Sequence, residues 1–213
     1  MTFEELDKKR FEKYGKFSDK AIRVVRAISW GKAAENTEVL DEQFMFYWIS
    51  LNAAYNDDAS ALSAERTKRR AFFIKISDLD KDNLIKRALV SIQNQLRVFV
   101  DNEFLYEEFW KMQKGELSET SFEKTKNNIM QKIYSGLMAR EDAIEVLDYL
   151  FDLMALLRNQ LFHGLATYGS SKNRDQLQAG VAILKAILPI IIDLVLVHDE
   201  VDWGEISYPV INK

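Results

Sequence analysis

The 213 residues correspond to about 1.4 average domains, so a single domain is expected, and a domain of this size buries roughly 70% of its unfolded surface. Hydrophobic residues at 47% and charged residues at 29% exclude a disordered or collagen-like chain, while 8 Gly and 2 Pro are too few turn residues for a β-rich fold. A net charge of −4 leaves no general footprint for nucleic acid, though a local basic cleft is compatible with it, and the lack of Cys removes disulfides, thiolate metal sites and cysteine nucleophiles.

The first residues, MTFEELDKKRFEKYGKF, are charged throughout and lack the apolar stretch of a secretory leader. Ser18 reads as an N-cap, with Asp19 in the first turn and Ile22, Val25, Ile28 and Ser29 at helical spacing after it. Phe44, Trp48, Leu51 and Tyr55 recur at i, i+4, i+7 and i+11, which marks the core-facing side of a second helix. Helical patterns continue over 62–76, 81–101, 103–114, 119–137, 140–163 and 173–198. Asn56-Asp57-Asp58, Asp78-Leu79-Asp80, Lys114-Gly115 and Gly169-Ser170-Ser171 supply turns or caps between them.

Val181–Val197 approaches membrane-spanning length, but Lys185, Pro189 and Asp193 interrupt it, so a helix buried within a bundle is expected and the protein is expected to be cytoplasmic. Pro189 is expected to kink that helix. The fold predicted is all-α, one helical bundle over 1–213 with its core in about 18–200 and a non-helical tail over 201–213. Its centre is expected to be an antiparallel pair formed by 140–163 and 173–198. In the tail, Trp203, Ile206, Tyr208 and Val210 are expected to lie across the bundle surface.

Whole classes of chemistry are missing from the sequence. It has no Walker A loop, no G-x-G-x-x-G after a strand, no H-E-x-x-H and no G-x-S-x-G. The two histidines are 35 residues apart, with no partner at metal-ligand spacing, and no di-iron carboxylate pattern is present. No cofactor and no metal are therefore expected. His198, followed by Asp199 and Glu200, reads as a solvated group at a helix C-terminus.

His163 ends the segment Leu156-Leu157-Arg158-Asn159-Gln160-Leu161-Phe162-His163-Gly164, with Leu153 one turn earlier. A cation, a carboxamide and an imidazole are costly to bury in such surroundings without partners. Asn159, four residues before His163, shares its face, whereas Arg158 lies about 140° away in a straight helix. On spacing alone His163 is either a capped, hydrogen-bonded histidine or a functional group.

RNQLFHG resembles the R-x4-6-H signature of the HEPN superfamily, with a polar residue directly after the arginine. Phe46-Tyr47-Trp48-Ile49-Ser50-Leu51-Asn52-Ala53-Ala54-Tyr55 is similar to the aromatic–Asn helix of the Apea-like HEPN branch. The likeness is specific at 44–56 and 156–164 and extends in layout over most of 18–200. It implies a metal-independent RNA endonuclease acting as a homodimer, often a toxin or phage-defence effector, with RNA as substrate and a possible cognate antitoxin protein as partner. By the same resemblance Arg158 and His163 of two subunits line one cleft and Asn159 orients them. Histidine suits proton transfer near neutral pH, and arginine suits the charge of a phosphorane. Attack by the RNA 2′-OH leaves a 2′,3′-cyclic phosphate and a 5′-OH, a route closed to DNA.

The run Arg66-Thr67-Lys68-Arg69-Arg70, with Lys172 and Arg174, is either an RNA track or a solvated helix face. Two other readings of the chain stand beside the ribonuclease. One is a catalytically silent HEPN module that dimerises or binds a partner, and the other is a plain helical scaffold.

Overall fold

In the computed structural model, which describes residues 1–15, 21–55, 65–138, 144–172 and 174–206, every regular element is helical. Chain order gives α1 (Phe3–Tyr14), α2 (Ile22–Glu35), α3 (Leu40–Tyr55), α4 (Glu65–Leu79), α5 (Leu84–Ser91), α6 (Gln93–Asp101), α7 (Glu107–Gln113), α8 (Glu119–Met138), α9 (Ile144–Phe162) and α10 (Arg174–Val197). A 3-10 turn, Glu103–Leu105, precedes α7. Ser18, Asp19, Asn56-Asp57-Asp58, Tyr208 and Val210 lie outside the described residues.

The aromatic stripe is core, as its spacing requires. Phe44, Trp48 and Leu51 are buried completely or nearly so, and Tyr55 is buried with them. The stripe faces α2 and α10, and the Ser50 hydroxyl, also inside, donates to the Ala27 carbonyl at 2.7 Å. Phe44 and Phe99 close over Gly180 of α10. Buried Tyr47 has its phenol pushed up to about 12, mainly by desolvation.

The expected partnership of 140–163 with 173–198 gives way to a different arrangement. α10 packs chiefly along α3, α6 and α5, while α9 packs along α8 and α4. Phe151 joins the two halves of the core, its ring 4.9 Å from Phe73 of α4 and 6.1 Å from Trp48 of α3. α10 is long and apolar enough to cross a membrane by length and composition, but most of its apolar stretch is buried in the bundle. It continues as helix through Pro189, which removes the backbone donor that the Lys185 carbonyl would otherwise meet.

The span 81–101 is two helices. Asn83 takes a left-handed conformation (φ 52°), which asparagine tolerates, and the Asp80 carboxylate accepts from the amides of Leu84 and Ile85 at 2.8 and 2.9 Å. At Ile92 the backbone leaves helical geometry and α6 begins. The span 103–114 also divides, because Tyr106 is extended, with its buried hydroxyl donating to the Val100 carbonyl at 2.7 Å. Trp203 of the tail meets the Phe72 ring at a tilt, 5.7 Å between centroids, and donates its indole N–H to the His198 carbonyl at 2.9 Å.

α1 is an element the periodicity did not show. Thr2 and Glu5 form a reciprocal capping box, and Phe3 and Leu6 are fully buried. Phe3 stacks near Tyr47 and fills the space a Cβ would occupy on Gly31, with ring atoms 2.0 to 2.5 Å from that position. Gly31→Ala is therefore expected to destabilise the protein. The ring must leave, at the ~1–3 kcal/mol typical of overpacking, against about 1 kcal/mol gained in helix propensity. A urea titration checks this, with Phe3→Leu added to Gly31→Ala expected to restore part of the loss.

Candidate active site

Arg158 and Asn159 on the last turns of α9, and His163 directly after it, are the three residues singled out by the sequence, and the structure sends them to three different surroundings. Arg158 turns toward α3 and α4. Its Nη2 donates to both carboxylate oxygens of Glu65, at 2.7 and 2.8 Å, and its Cζ sits 5.2 Å from the centre of the Trp48 ring. Among the described residues the buried Nε of Arg158 has no hydrogen-bond partner, nor has the indole Nε1 of Trp48. Tyr55 shares this corner. Burial pushes its phenol up to about 12, with Glu65 adding to the rise and Arg69 and Arg158 opposing it.

Asn159, half-buried, lines a cleft of about 410 Å³ between α9, α8 and the start of α7. Leu153 and Leu156 form part of its wall, and Arg66, Asp152 and Tyr149 stand around it.

His163 is the residue that ends the helix. The amide of Gly164 bonds the Leu161 carbonyl at 3.2 Å and that of Leu165 bonds the Gln160 carbonyl at 2.9 Å, a Schellman closure that needs the left-handed φ of 69° at Gly164. The imidazole is exposed, edge-on to Phe162 at 5.6 Å, and makes no hydrogen bond among the described residues. The burial cost expected for this residue does not arise, because the helix carries it out of the core. Phe162, Leu165 and Tyr168, within five residues of it in the chain, are 67%, 76% and 65% exposed, and the Tyr168 hydroxyl donates to Glu42 at 2.6 Å.

The basic run on α4 is neither a free track nor a merely solvated face. Arg66 and Arg69 both reach Asp152, at 2.5 and 2.7 Å, and Arg70 pairs with Asp148. Arg69 is buried, which pulls its guanidinium below its ordinary value while Asp152 opposes that pull. Arg174 is engaged as well, its two terminal nitrogens 2.5 and 3.2 Å from the buried Asp41 carboxylate. Lys172 is exposed beside a 200 Å³ hollow that also touches Gln160, Thr167 and Arg174. His198 follows α10, its Nδ1 2.9 Å from Glu200.

Glu65 and Trp48 are parts of the Arg158 site that the sequence did not connect with Arg158. The aromatic stripe contained the signal for Trp48, whereas Glu65 gave none, being 93 residues away in sequence. Among the described residues no group of three or more His, Asp and Glu is placed to hold a metal ion. No family model matches the chain, and no curated protein or solved structure is significantly similar to it.

Proposed function

We propose that this protein is a cytoplasmic, metal-independent RNA endonuclease of HEPN type, working as a homodimer whose subunits meet around the ends of their α9 helices. The observation that carries the reading is the exposed imidazole of His163 with the Phe162 ring against it, at a helix end where Leu165 and Tyr168 are exposed as well. Apolar side chains exposed together are costly to leave in water, and a two-fold contact covers the same patch on both copies. Such a contact sets two imidazoles into one cleft, where each is free to take the proton of a ribose 2′-OH or return one to the leaving oxygen. Arg158, carried on Trp48, supplies planar donors for the phosphate, and Asn159 supplies an amide on the face of α9 that leads to His163.

One observation favours a second reading, a silent module of the same type: Arg158 pairs with Glu65, and neither residue contacts His163 among the described residues. Incubation of the purified protein with total RNA in excess EDTA separates the two. Fragments ending in 2′,3′-cyclic phosphate support the enzyme. An intact dimer that leaves RNA uncut under all conditions supports the silent module.

The dimer has its own test. Light scattering at micromolar concentration is expected to report twice the 24.8 kDa chain mass. A Phe162→Asp, Leu165→Asp double variant is expected to be folded, monomeric and inactive, since both side chains lie outside the core. A wild-type monomer at that concentration contradicts both the dimer and the cleft.

A further inference from the structure

Arg158 already holds an anion. A guanidinium presents its donors in a plane that suits two oxygens at once, and carboxylates and phosphates both satisfy it. In this protein Glu65 supplies the oxygens, both on Nη2, while the Trp48 ring covers the guanidinium and its buried Nε has no partner among the described residues. Of the neighbouring cations, Arg66 and Arg69 are drawn to Asp152 and Arg70 to Asp148. The pair is accessible, with 20% of the Arg158 side chain and 38% of the Glu65 side chain exposed, so an incoming anion can exchange with the carboxylate.

Resting on the ribonuclease reading above, we infer that Glu65 is the positioning residue of Arg158, a resident carboxylate that keeps the guanidinium on Trp48 and yields its place to an RNA phosphate. While the pair is closed, Arg158 adds almost nothing to the long-range attraction of a polyanion, because its charge is cancelled at 2.7 Å. Binding RNA then requires an exchange of anions at this corner, and Glu65 raises the cost of that exchange. Phosphate contacts of this kind govern how strongly affinity depends on salt, which gives the idea a signature that a merely structural ion pair lacks.

The probe is a single-stranded 2′-O-methyl oligoribonucleotide, which keeps the phosphates and lacks the attacking hydroxyl. Its affinity is measured by fluorescence anisotropy between ~50 and ~200 mM salt. Glu65→Gln keeps the shape of the side chain and removes its charge. It is expected to tighten binding about two- to five-fold, the range for a partly exposed ion pair. The slope of log affinity against log salt is expected to steepen by up to about 0.7, because in wild type the carboxylate freed by the exchange takes up salt cations and offsets those released from the phosphate that Arg158 binds. Adding Arg158→Gln to Glu65→Gln is expected to remove both changes. Glu65→Asp keeps the charge on a shorter arm and is expected to leave the slope as in wild type. If wild type cleaves RNA and Glu65→Gln binds no better, with an unaltered slope, the role of Glu65 is overturned and the ribonuclease stands. If neither protein binds the probe and wild type cuts no RNA, both readings fall together.

Discussion

Replacing His163 with alanine is expected to lower RNA cleavage by about 10²- to 10⁴-fold, the usual contribution of one general acid–base group. The protein is expected to stay folded and dimeric, because the imidazole is exposed and its backbone, not its ring, closes α9. Surface changes of that sort usually alter stability by no more than about 0.5 kcal/mol. Wild-type cleavage is expected to persist in EDTA and to fail when the 2′-OH at the cut site is removed. Arg158→Lys is expected to be strongly impaired as well, since a point charge replaces the planar fork that sits on Trp48. Asn159→Ala is expected to cost less, its assigned part being orientation only. Full activity in His163→Ala, or a requirement for added metal, rules the mechanism out.

Phe151→Ala is expected to lower stability by about 3–5 kcal/mol, the largest loss of any single truncation considered. The ring is fully buried and touches Trp48 on α3 and Phe73 on α4, so its removal opens a cavity where three helices meet. In a domain of this size the loss corresponds to a fall in Tm of very roughly 6–20 °C. Reversible urea titration measures it directly. A loss below about 1 kcal/mol would show that the helices close over the gap, contrary to the close packing expected of such a core. Because Trp48 also carries Arg158, the same variant is expected to loosen the guanidinium before it unfolds the chain.

The helices that the sequence displayed clearly are those whose apolar residues repeat over several turns. The pattern over 119–137 becomes Glu119–Met138, and the aromatic stripe at Phe44, Trp48, Leu51 and Tyr55 lies where its spacing placed it. The division at Ile92 was illegible because no Gly or Pro marks it and the apolar periodicity runs straight across. α1 has two buried apolar residues, Phe3 and Leu6, among charges, too few to register as periodicity; only the Thr2–Glu5 capping box announces it. The choice of α8 and α4 as partners for α9 depends on contacts between distant segments, for which local pattern holds no information. The same limit applies to the candidate site. Arg158, Asn159 and His163 could be read as a motif, whereas the carboxylate that occupies Arg158 could not.

The charges shared by α4 and α9 carry a sense of direction. Along α4 the order is one anion, Glu65, then the cations Arg66, Arg69 and Arg70; along α9 it is the anions Asp148 and Asp152, then the cation Arg158. With the helices running oppositely, each position meets its complement: 70 with 148, 66 and 69 with 152, and 65 with 158. Laid head to head instead, Glu65 would approach Asp148 and Arg70 would approach Arg158, so every attraction at the ends would become repulsion. The exposed pairs, such as Arg66 with Asp152, add little to net stability, but like charges forced together work against the wrong arrangement. The ladder thus acts as a polarity key, letting two segments made far apart in the chain dock in one orientation and penalising the reverse.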